Sequence, residues 1–470
     1  MTRAGSLTFC FLLLGAIAPA LAHGPHDDHA PKKVADVDAH RPTPLPDRII
    51  LTWSDDPRTT MAVTWRTDAT VAKSMAQIAR ADAAPKFIEK ATTVEAKTEP
   101  FETDLSKAHV HSAVFRDLAP RTKYAYRVGD GANWSEWFHF STASDKPEPF
   151  SFVYFGDAQN DVKSMWSRVV REAFKDAPTA AFMIHAGDLI NSAERDAEWG
   201  EWHQAGGWLN GMLPSVPTPG NHEYARVVGS ETPARRLSNH WKPQFTLPTN
   251  GPEMLQESTY YIDYQGTRII SLNSNEHQKE QVDWLRGVLA NNPNKWTICT
   301  FHHPIFSTAK GRDNPELREA WQPIFDEYRV DLVLNGHDHT YGRTGLEAHR
   351  NVAGGDSARS VEGGTVYVVS VSGPKMYELG AETITAMKRV AEDTQLYQII
   401  TIDGDALTYE SRTAVGEVYD AFTLKKRAGK VNEMIERVPN TPRRLRLERT
   451  PAKAKAAAAA VPAPVPALAK

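Results

Sequence analysis

The chain has 470 residues, of which 41% are hydrophobic and 24% are charged, and its formal net charge at pH 7 is −4. This composition is typical of a globular protein with two or more domains and excludes a largely disordered chain. The small negative charge gives no support for nucleic acid or an anionic membrane surface as a partner.

Residues 1–22 have the features of a secretory signal peptide. Arg3 supplies the positive charge, an apolar run extends from Leu7 to Leu21, and the small residues at 20–22 form a cleavage site. The apolar run is too short for a stable membrane span, so we expect export to the periplasm or the cell exterior. Cys299 is then the only cysteine of the mature chain, which predicts no internal disulfide and a buried, unreactive thiol.

Residues 23–46, which follow the cleavage site, are rich in His and Pro. This composition predicts a flexible leader, although its imidazoles and carboxylates could also form a weak metal-collecting arm. Residues 47–142 predict a β-sandwich, because strand-like runs such as 49–53 and 61–65 alternate with turn residues. Within this region, residues 118–129 resemble a strand pair of a fibronectin type III domain.

From residue 150 the pattern changes to strand-like apolar runs that alternate with helical patterns, as in an α/β domain. This pattern continues to residue 412, and residues 413–470 are predicted to be an extension with a tail of Ala, Pro and Lys that cannot bury a core. Predicted helices cover residues 161–175, 194–210, 278–290 and 315–328.

Metal-ligating residue types follow several of the predicted strands directly. One such strand end is typical of an ordinary turn, but five in one domain are not. Since open α/β sheets place ligands at the carboxyl ends of their strands, we expect these side chains to meet. Their donors suit Fe, Zn or Mn, and a shared carboxylate could bridge two ions about 3.5–4 Å apart. The five strand ends are Gly156-Asp157, Gly187-Asp188, Gly220-Asn221-His222-Glu223, His302-His303-Pro304 and Gly336-His337-Asp338-His339.

These five motifs, in this order over residues 150–345, resemble the calcineurin-like metallophosphoesterases. The preceding sandwich looks like the N-terminal domain of purple acid phosphatases. The resemblance implies an all-β sandwich followed by a four-layer α/β/β/α domain that binds two divalent or trivalent metal ions. It further implies that Asp157, Asp188 and His339 hold the first metal, that Asp188 bridges, that Asn221, His302 and His337 hold the second metal, and that His222 is the catalytic residue beside the scissile oxygen.

The sequence departs from the family pattern at the first metal site. Purple acid phosphatases have Tyr three residues after the bridging Asp, and this chain has Asn191 there. Other metallophosphoesterases have Asp-x-His at the first motif, where this chain has Asp157-Ala158-Gln159. We expect no iron–tyrosinate colour and a weaker first site, in which Gln159 or Asn191 either offers an amide oxygen or only contacts the ligands.

Several other polar residues near the motifs have two interpretations. His303 either supports the ligands or faces the substrate. Tyr341 and Arg343 either face the phosphate or lie at the surface. Arg226, Arg235 and Arg236 form a solvated charge cluster unless residues 225–257 fold over the cleft.

The expected function is that of an exported phosphatase with two metal ions, which hydrolyses small phosphomonoesters by attack of a metal-bound hydroxide. One alternative is a phosphodiesterase or nucleotidase on the same core. An alternative of another class is a metal-binding adhesion or interaction protein with degraded activity. The metal identities (Fe, Zn or Mn), the exact substrate and the oligomeric state are left open by the sequence.

Overall fold

The computed structural model describes residues 32–446, apart from residue 228, residues 230–233 and residues 349–363. The predicted signal peptide, most of the His-rich part of the leader and the Ala, Pro and Lys tail lie outside the described residues. The described part of the leader contains one short helix, α1 (Asp36–Ala39). None of the helices within the described ranges is both long enough and apolar enough to cross a membrane.

The N-terminal domain is a sandwich of two four-stranded antiparallel sheets. One sheet has the order β1-β2-β6-β5 and the other has the order β4-β3-β7-β8. Aromatic side chains such as Phe115, Tyr126 and Phe140 fill the space between the sheets. The predicted sandwich is therefore confirmed. Its strands are β1 (Asp47–Thr52), β2 (Met61–Asp68), β3 (Met75–Arg80), β4 (Thr92–Glu95), β5 (Lys97–Glu102), β6 (Lys107–Phe115), β7 (Lys123–Gly129) and β8 (Phe138–Ser141).

Buried charges join the sandwich to the second domain. Asp196 of the second domain accepts hydrogen bonds from Arg48 (2.6 Å) and Arg66 (3.3 Å) of the sandwich, and all three side chains are buried. In the same interface, the Tyr126 hydroxyl donates to the carbonyl of Gly211 (2.6 Å). Because a buried charge is stable only when it is paired, these contacts fix how the two domains pack.

Within the described residues, the second domain contains two seven-stranded sheets, a short hairpin and five α-helices. The helices are α2 (Ser167–Asp176), α3 (Asp196–Gly206), α4 (Trp241–Gln244), α5 (Gln281–Ala290) and α6 (Pro315–Tyr328). The strands are β9 (Phe150–Phe155), β10 (Met183–His185), β11 (Ser215–Pro217), β12 (Tyr224–Arg226), β13 (Arg235–Leu237), β14 (Tyr260–Tyr264), β15 (Thr267–Ser271), β16 (Trp296–Phe301), β17 (Leu332–Asn335), β18 (Tyr341–Thr344), β19 (Val366–Val369), β20 (Met387–Ala391), β21 (Leu396–Asp403), β22 (Ala406–Thr413), β23 (Val418–Arg427) and β24 (Lys430–Glu436).

The two sheets pack face to face with helices outside them. The first has the order β11-β10-β9-β21-β22-β23-β24, and the second has the order β14-β15-β16-β17-β19-β18-β20. Successive residues of the second sheet alternate between two cores, as strand geometry requires. Ile269 and Ile298 lie in the core shared with the first sheet, whereas Ile270 and Cys299 pack with Trp321 of α6. The expected four-layer arrangement is thereby confirmed.

The first sheet continues beyond residue 412, where the sequence pattern placed the end of the domain. β23 pairs with β22 along its length, and β24 then pairs with β23. These strands are missed in the sequence because their outer positions carry charged residues, such as Lys425 and Lys430, rather than a continuous apolar run. The α/β domain therefore includes residues up to at least Glu436.

Cys299 is buried in β16, in agreement with the prediction of an unreactive thiol. Burial raises the pKa of its thiol, and the nearby Asp331 carboxylate acts in the same direction. Since the thiolate is the reactive form, this cysteine is a packing residue.

Candidate metal centre

Both sheets of the second domain contribute strand ends to one polar site. Asp157, Asp188 and Asn221 follow strands β9, β10 and β11 of the first sheet, and the neighbouring strands pair in parallel. His302 follows β16 of the second sheet, and His337 lies two residues after β17, which is parallel to β16. The fold therefore brings the carboxyl ends of strands from two sheets to the same place.

The glycines in the loops at these strand ends have no room for a Cβ atom. A Cβ atom at Gly336 would lie 2.1 Å from Oδ1 of Asp157, and one at Gly187 would lie 2.6 Å from Nδ1 of His302. Asp188 has a φ of 51°, in the left-handed region that disfavours residues with a Cβ. Strained backbone of this kind persists where the surrounding structure enforces it, as at functional sites.

Asp157, Asp188 and His339 form one group whose ligand atoms lie within 4.8 Å of one another. Nε2 of His339 lies 3.1 Å from Oδ2 of Asp157, and Nδ1 of His339 donates to the carbonyl of Lys375 (3.0 Å). That donation leaves a lone pair on Nε2, directed at the group. Gln159 reaches the same point, since its Nε2 lies 2.8 Å from Oδ2 of Asp188 and 3.0 Å from Nε2 of His339.

Asp188 also belongs to a second group, with His302 and His337. Nδ1 of His302 donates to the carbonyl of Ala186 (2.9 Å), so the neutral ring, as a metal ligand, directs the lone pair of Nε2 toward the group. Around that nitrogen lie Oδ2 of Asp188 (3.2 Å), Oδ1 of Asn221 (3.1 Å) and Nδ1 of His337 (3.1 Å). Asp188 is thus the one carboxylate that the two groups share.

The electrostatics of both groups favour bound positive charge. Burial raises the pKa of Asp157 to about 7, and its Oδ2 has no hydrogen-bond partner although it is buried. Burial lowers the pKa of His302, but Asp188 and Asp157 outweigh this effect and raise it to about 9. Converging acceptor atoms beside an orphaned carboxylate oxygen are the environment that a metal ion satisfies.

Glu223 positions the loop that carries Asp188, a role not predicted from the sequence. Its buried carboxylate accepts hydrogen bonds from the backbone N–H groups of Asp188 (2.8 Å), Leu189 (2.8 Å) and Gly220 (2.6 Å). One side chain therefore joins two of the ligand loops. The available signal was an acidic residue directly after Asn221 and His222, which could equally have been a solvated charge.

His222 faces the shared carboxylate without belonging to either group. Its Nδ1 donates to the backbone carbonyl of Asn191, which leaves Nε2 4.0 Å from Oδ2 of Asp188. The side chain of Asn191 does not contribute to this orientation and instead donates to Ser192 (3.3 Å). Of the two predicted supplementary residues, Gln159 therefore contacts the ligand atoms and Asn191 acts through its backbone.

His303 lies beside the second group. Its ring centroid is 4.3 Å from that of His337, and its Nδ1 lies 2.9 Å from the hydroxyl of Ser274. It also lines the open cleft next to Asn221. This position is compatible with both interpretations of His303, as a support for the ligands and as a residue that faces the substrate.

Two family models match this chain, one for each domain. The model described as the purple acid phosphatase N-terminal domain matches residues 46–142, and the model of the calcineurin-like phosphoesterases matches residues 150–341. Together they match more than half of the chain, and the second spans all five motifs. The chain joins a purple acid phosphatase N-terminal domain to a calcineurin-like phosphoesterase domain.

Relatives of this calcineurin-like phosphoesterase occur in bacteria, animals and plants. It is 25% identical over 324 residues to an uncharacterized protein of Mycobacterium tuberculosis, with 61% of this chain and 60% of that protein covered. It is 26% identical over 279 residues to acid phosphatase type 7 of Danio rerio, with coverages of 50% and 57%. The chain thus spans only about 60% of the length of these relatives.

The fold of a solved plant enzyme is also similar. Purple acid phosphatase PPD1 from seeds of yellow lupin (Lupinus luteus) matches with a TM-score of 0.68 at 19% identity, covering 82% of this chain and 75% of that one. This likeness confirms the fold of both domains.

In this calcineurin-like phosphoesterase, Tyr341 and Arg343 lie neither at the site nor at the surface, so both interpretations of these residues, as phosphate-facing and as surface residues, are wrong. Both are buried in β18, between β19 and β20 of the second sheet. The Tyr341 hydroxyl donates to Asp420 (2.7 Å), and Arg343 donates to Asp420 (2.8 Å) and Glu436 (2.8 Å). They are close in sequence to the loop that carries His337 and His339, but they belong to the strand that follows this loop and leads away from the site.

We expect Arg343→Met to destabilise the protein without altering the chemistry. The change leaves the buried Asp420 carboxylate without its cation, which costs about 3–5 kcal/mol of unfolding free energy. Thermal unfolding would show a large drop in Tm, while kcat/KM per folded molecule on a phosphomonoester stays within about threefold. A selective loss of kcat/KM at an unchanged Tm would show that Arg343 acts on the substrate after all.

We expect Gln159→Ala to lower metal occupancy at the first group and Asn191→Ala to leave it unchanged. Only the Gln159 amide contacts the ligand atoms, and rotating that amide by 180° would turn its oxygen toward them. Elemental analysis after dialysis at limiting metal measures the difference, and Asn191→Ala is the matched amide control. Equal metal content in the wild type and Gln159→Ala would make Gln159 a bystander.

Proposed function

We propose that this chain is a phosphatase with two metal ions that hydrolyses phosphomonoesters. The observation that supports it most is the single carboxylate, Asp188, shared by two groups of ligand atoms. Two ions held this way would supply positive charge to the phosphoryl group and activate water as the nucleophile. The ligands proposed are Asp157, Asp188 and His339 for the first ion, with Asp188, Asn221, His302 and His337 for the second.

The proposed role of His222 follows from its hydrogen bond. Because Nδ1 donates to the Asn191 carbonyl, Nε2 is the ring nitrogen that can contact a substrate bound beside the shared carboxylate, Asp188. A protonated His222 can donate from Nε2 to a phosphoryl oxygen or to the leaving alkoxide oxygen. Its side chain is about one quarter exposed, so a substrate can reach it.

We also propose that the enzyme is not purple. The position three residues after Asp188 is Asn191, so a tyrosinate from this position is not available to a ferric ion. The proposed metals are therefore Fe, Zn or Mn without the tyrosinate charge-transfer band. An absorption spectrum of the iron-loaded protein that lacks this visible band would support the proposal, and a purple protein would overturn it.

A pair of model substrates distinguishes the phosphatase from the alternatives. We expect the metal-loaded protein to hydrolyse p-nitrophenyl phosphate with a kcat/KM at least tenfold above that for bis(p-nitrophenyl) phosphate. The reverse preference would favour the phosphodiesterase. Hydrolysis of neither ester would favour the adhesion or interaction protein with degraded activity.

Export through residues 1–22 is proposed on the sequence features alone, since these residues lie outside those that the structure describes. Sequencing the N-terminus of the protein secreted or released from the periplasm tests it. A mature protein that begins at His23 supports export, whereas an uncleaved cytoplasmic protein contradicts it.

A further inference from the structure

The hairpin of β12 and β13 places two arginines opposite each other beside the metal centre. Arg226 is paired directly with Arg235, so both side chains extend from the same face of the hairpin. The base of the hairpin is fixed by Tyr224, whose hydroxyl donates to Glu276 (2.7 Å) and accepts a hydrogen bond from Asn273 (2.7 Å). The arginine pair therefore projects from an anchored hairpin whose first strand begins two residues after His222.

This arginine pair has no carboxylate partner in the described part of the chain. Among the described residues, Arg235 donates a single long hydrogen bond, to the carbonyl of Asn221 (3.4 Å), and both arginines are exposed. The neighbouring Arg236 differs, because it extends from the opposite face and pairs with Glu194 (3.1 Å). Like charges directly opposite each other destabilise a strand pair, so an anion between Arg226 and Arg235 would stabilise this arrangement.

The arginine pair and the catalytic candidate line the same cleft. A cleft of about 410 Å³ is bordered by Asn191, His222, Tyr224, Arg226 and Arg235. This volume is larger than a single phosphate needs and falls in the range of small-ligand sites.

The charge of this cleft favours an anion. Glu194 is the only carboxylate among the lining residues that the structure describes, and it is already paired with Arg236 and with His240 (3.5 Å). Among the described lining residues, Arg226 and Arg235 thus contribute positive charge that no carboxylate of the cleft pairs with. Guanidinium groups bind phosphate and carboxylate oxygens through two parallel hydrogen bonds.

We propose that Arg226 and Arg235 bind a second anionic group of the substrate. The preferred substrates are then phosphomonoesters that carry a further phosphate or carboxylate at a distance from the scissile phosphate. This inference rests on the proposed phosphatase function and specifies its substrate class. It assigns a function to two of the three arginines that the sequence alone leaves as a solvated cluster.

Three sugar phosphates of similar size test the proposal on the metal-loaded, full-length protein. Glucose 6-phosphate has one anionic group, 6-phosphogluconate adds a carboxylate, and glucose 1,6-bisphosphate adds a phosphate. We expect the wild type to favour at least one of the doubly anionic substrates over glucose 6-phosphate by about tenfold in kcat/KM, as expected for a charged hydrogen-bonding pair. A bisphosphate has two phosphates that can be cleaved, which by itself raises kcat/KM at most about twofold, less than the preference expected here. Comparing 6-phosphogluconate with glucose 1,6-bisphosphate shows whether a carboxylate or a phosphate is the preferred second anion.

Arg226→Ala and Arg235→Ala should each remove most of this preference through a higher KM, while kcat/KM for glucose 6-phosphate changes less than threefold. Arg286→Ala, which changes an exposed arginine of α5 that pairs with Glu327 and does not line the cleft, is the matched control and should retain the preference. Hydrolysis of all three esters without a preference, or equal losses on all three in the arginine variants, would overturn the proposal and leave the phosphatase function intact. A wild type that hydrolyses p-nitrophenyl phosphate but none of the three sugar phosphates would overturn this inference alone, whereas hydrolysis of none of the four esters would overturn the phosphatase function with it.

Discussion

Replacing Asp188 by Asn is expected to reduce phosphomonoester hydrolysis by about 1,000-fold, because a loss of about 4 kcal/mol of transition-state stabilisation has this effect. The physical reason is that Asp188 is the carboxylate common to both ligand groups. An amide has no negative charge and only one acceptor oxygen, so it cannot serve two cations as a carboxylate does. We expect the metal content to fall by at least one ion per chain in the same variant.

The matched control for Asp188→Asn is Asp176→Asn at the end of α2. Asp176 accepts hydrogen bonds from Tyr397 (2.6 Å) and Arg412 (2.9 Å), neither of which belongs to the ligand groups. This control should keep both its metal content and its activity. If Asp188→Asn retained two metal ions and activity within threefold of the wild type, Asp188 would not be the bridging ligand.

His222→Ala is expected to lower kcat by about 10²–10³-fold, the usual cost of removing a group that stabilises charge in the transition state. Its metal content should equal that of the wild type, because Nε2 of His222 lies 4.0 Å from Asp188 and outside both ligand groups. Steady-state kinetics with elemental analysis of the same preparation separates the two effects.

His277→Ala is the control for His222→Ala, since His277 is exposed and lies near Glu280 (3.7 Å) rather than at the centre. It should behave as the wild type in both measurements. Loss of metal from His222→Ala would instead identify His222 as a ligand. An unchanged kcat in His222→Ala would remove it from the proposed mechanism.

The ligand residues of this fold are predictable because their positions depend on local rules. An apolar strand followed by Gly-Asp or Gly-Asn delivers a donor to the sheet edge, and the glycine is required by the close approach of the neighbouring loop. Gly336 illustrates this, since a Cβ there would lie 2.1 Å from Asp157. The structure brings the six predicted ligands and His222 together, and the model of the calcineurin-like phosphoesterases spans all five motifs.

The roles of Tyr341, Arg343 and Asn191 depend on tertiary contacts, which the sequence does not display. The segment 341–344 reads as polar, yet the sheet order places it between two strands, where Arg343 is neutralised by Asp420 and Glu436 from 77 and 93 residues away. Asn191 was considered for its side-chain amide, but its backbone carbonyl is what orients His222. Neither an ion pair between residues distant in the chain nor a hydrogen bond to a backbone carbonyl produces a recognisable local pattern in the sequence.

The central claim is that two metal ions on one shared carboxylate are needed for hydrolysis. It is tested most directly by adding metal in measured equivalents to the metal-free, full-length protein while recording the initial rate on p-nitrophenyl phosphate. The structure predicts that activity rises to a plateau at two equivalents per chain. A plateau at one equivalent, or no hydrolysis at any metal content, would contradict the account.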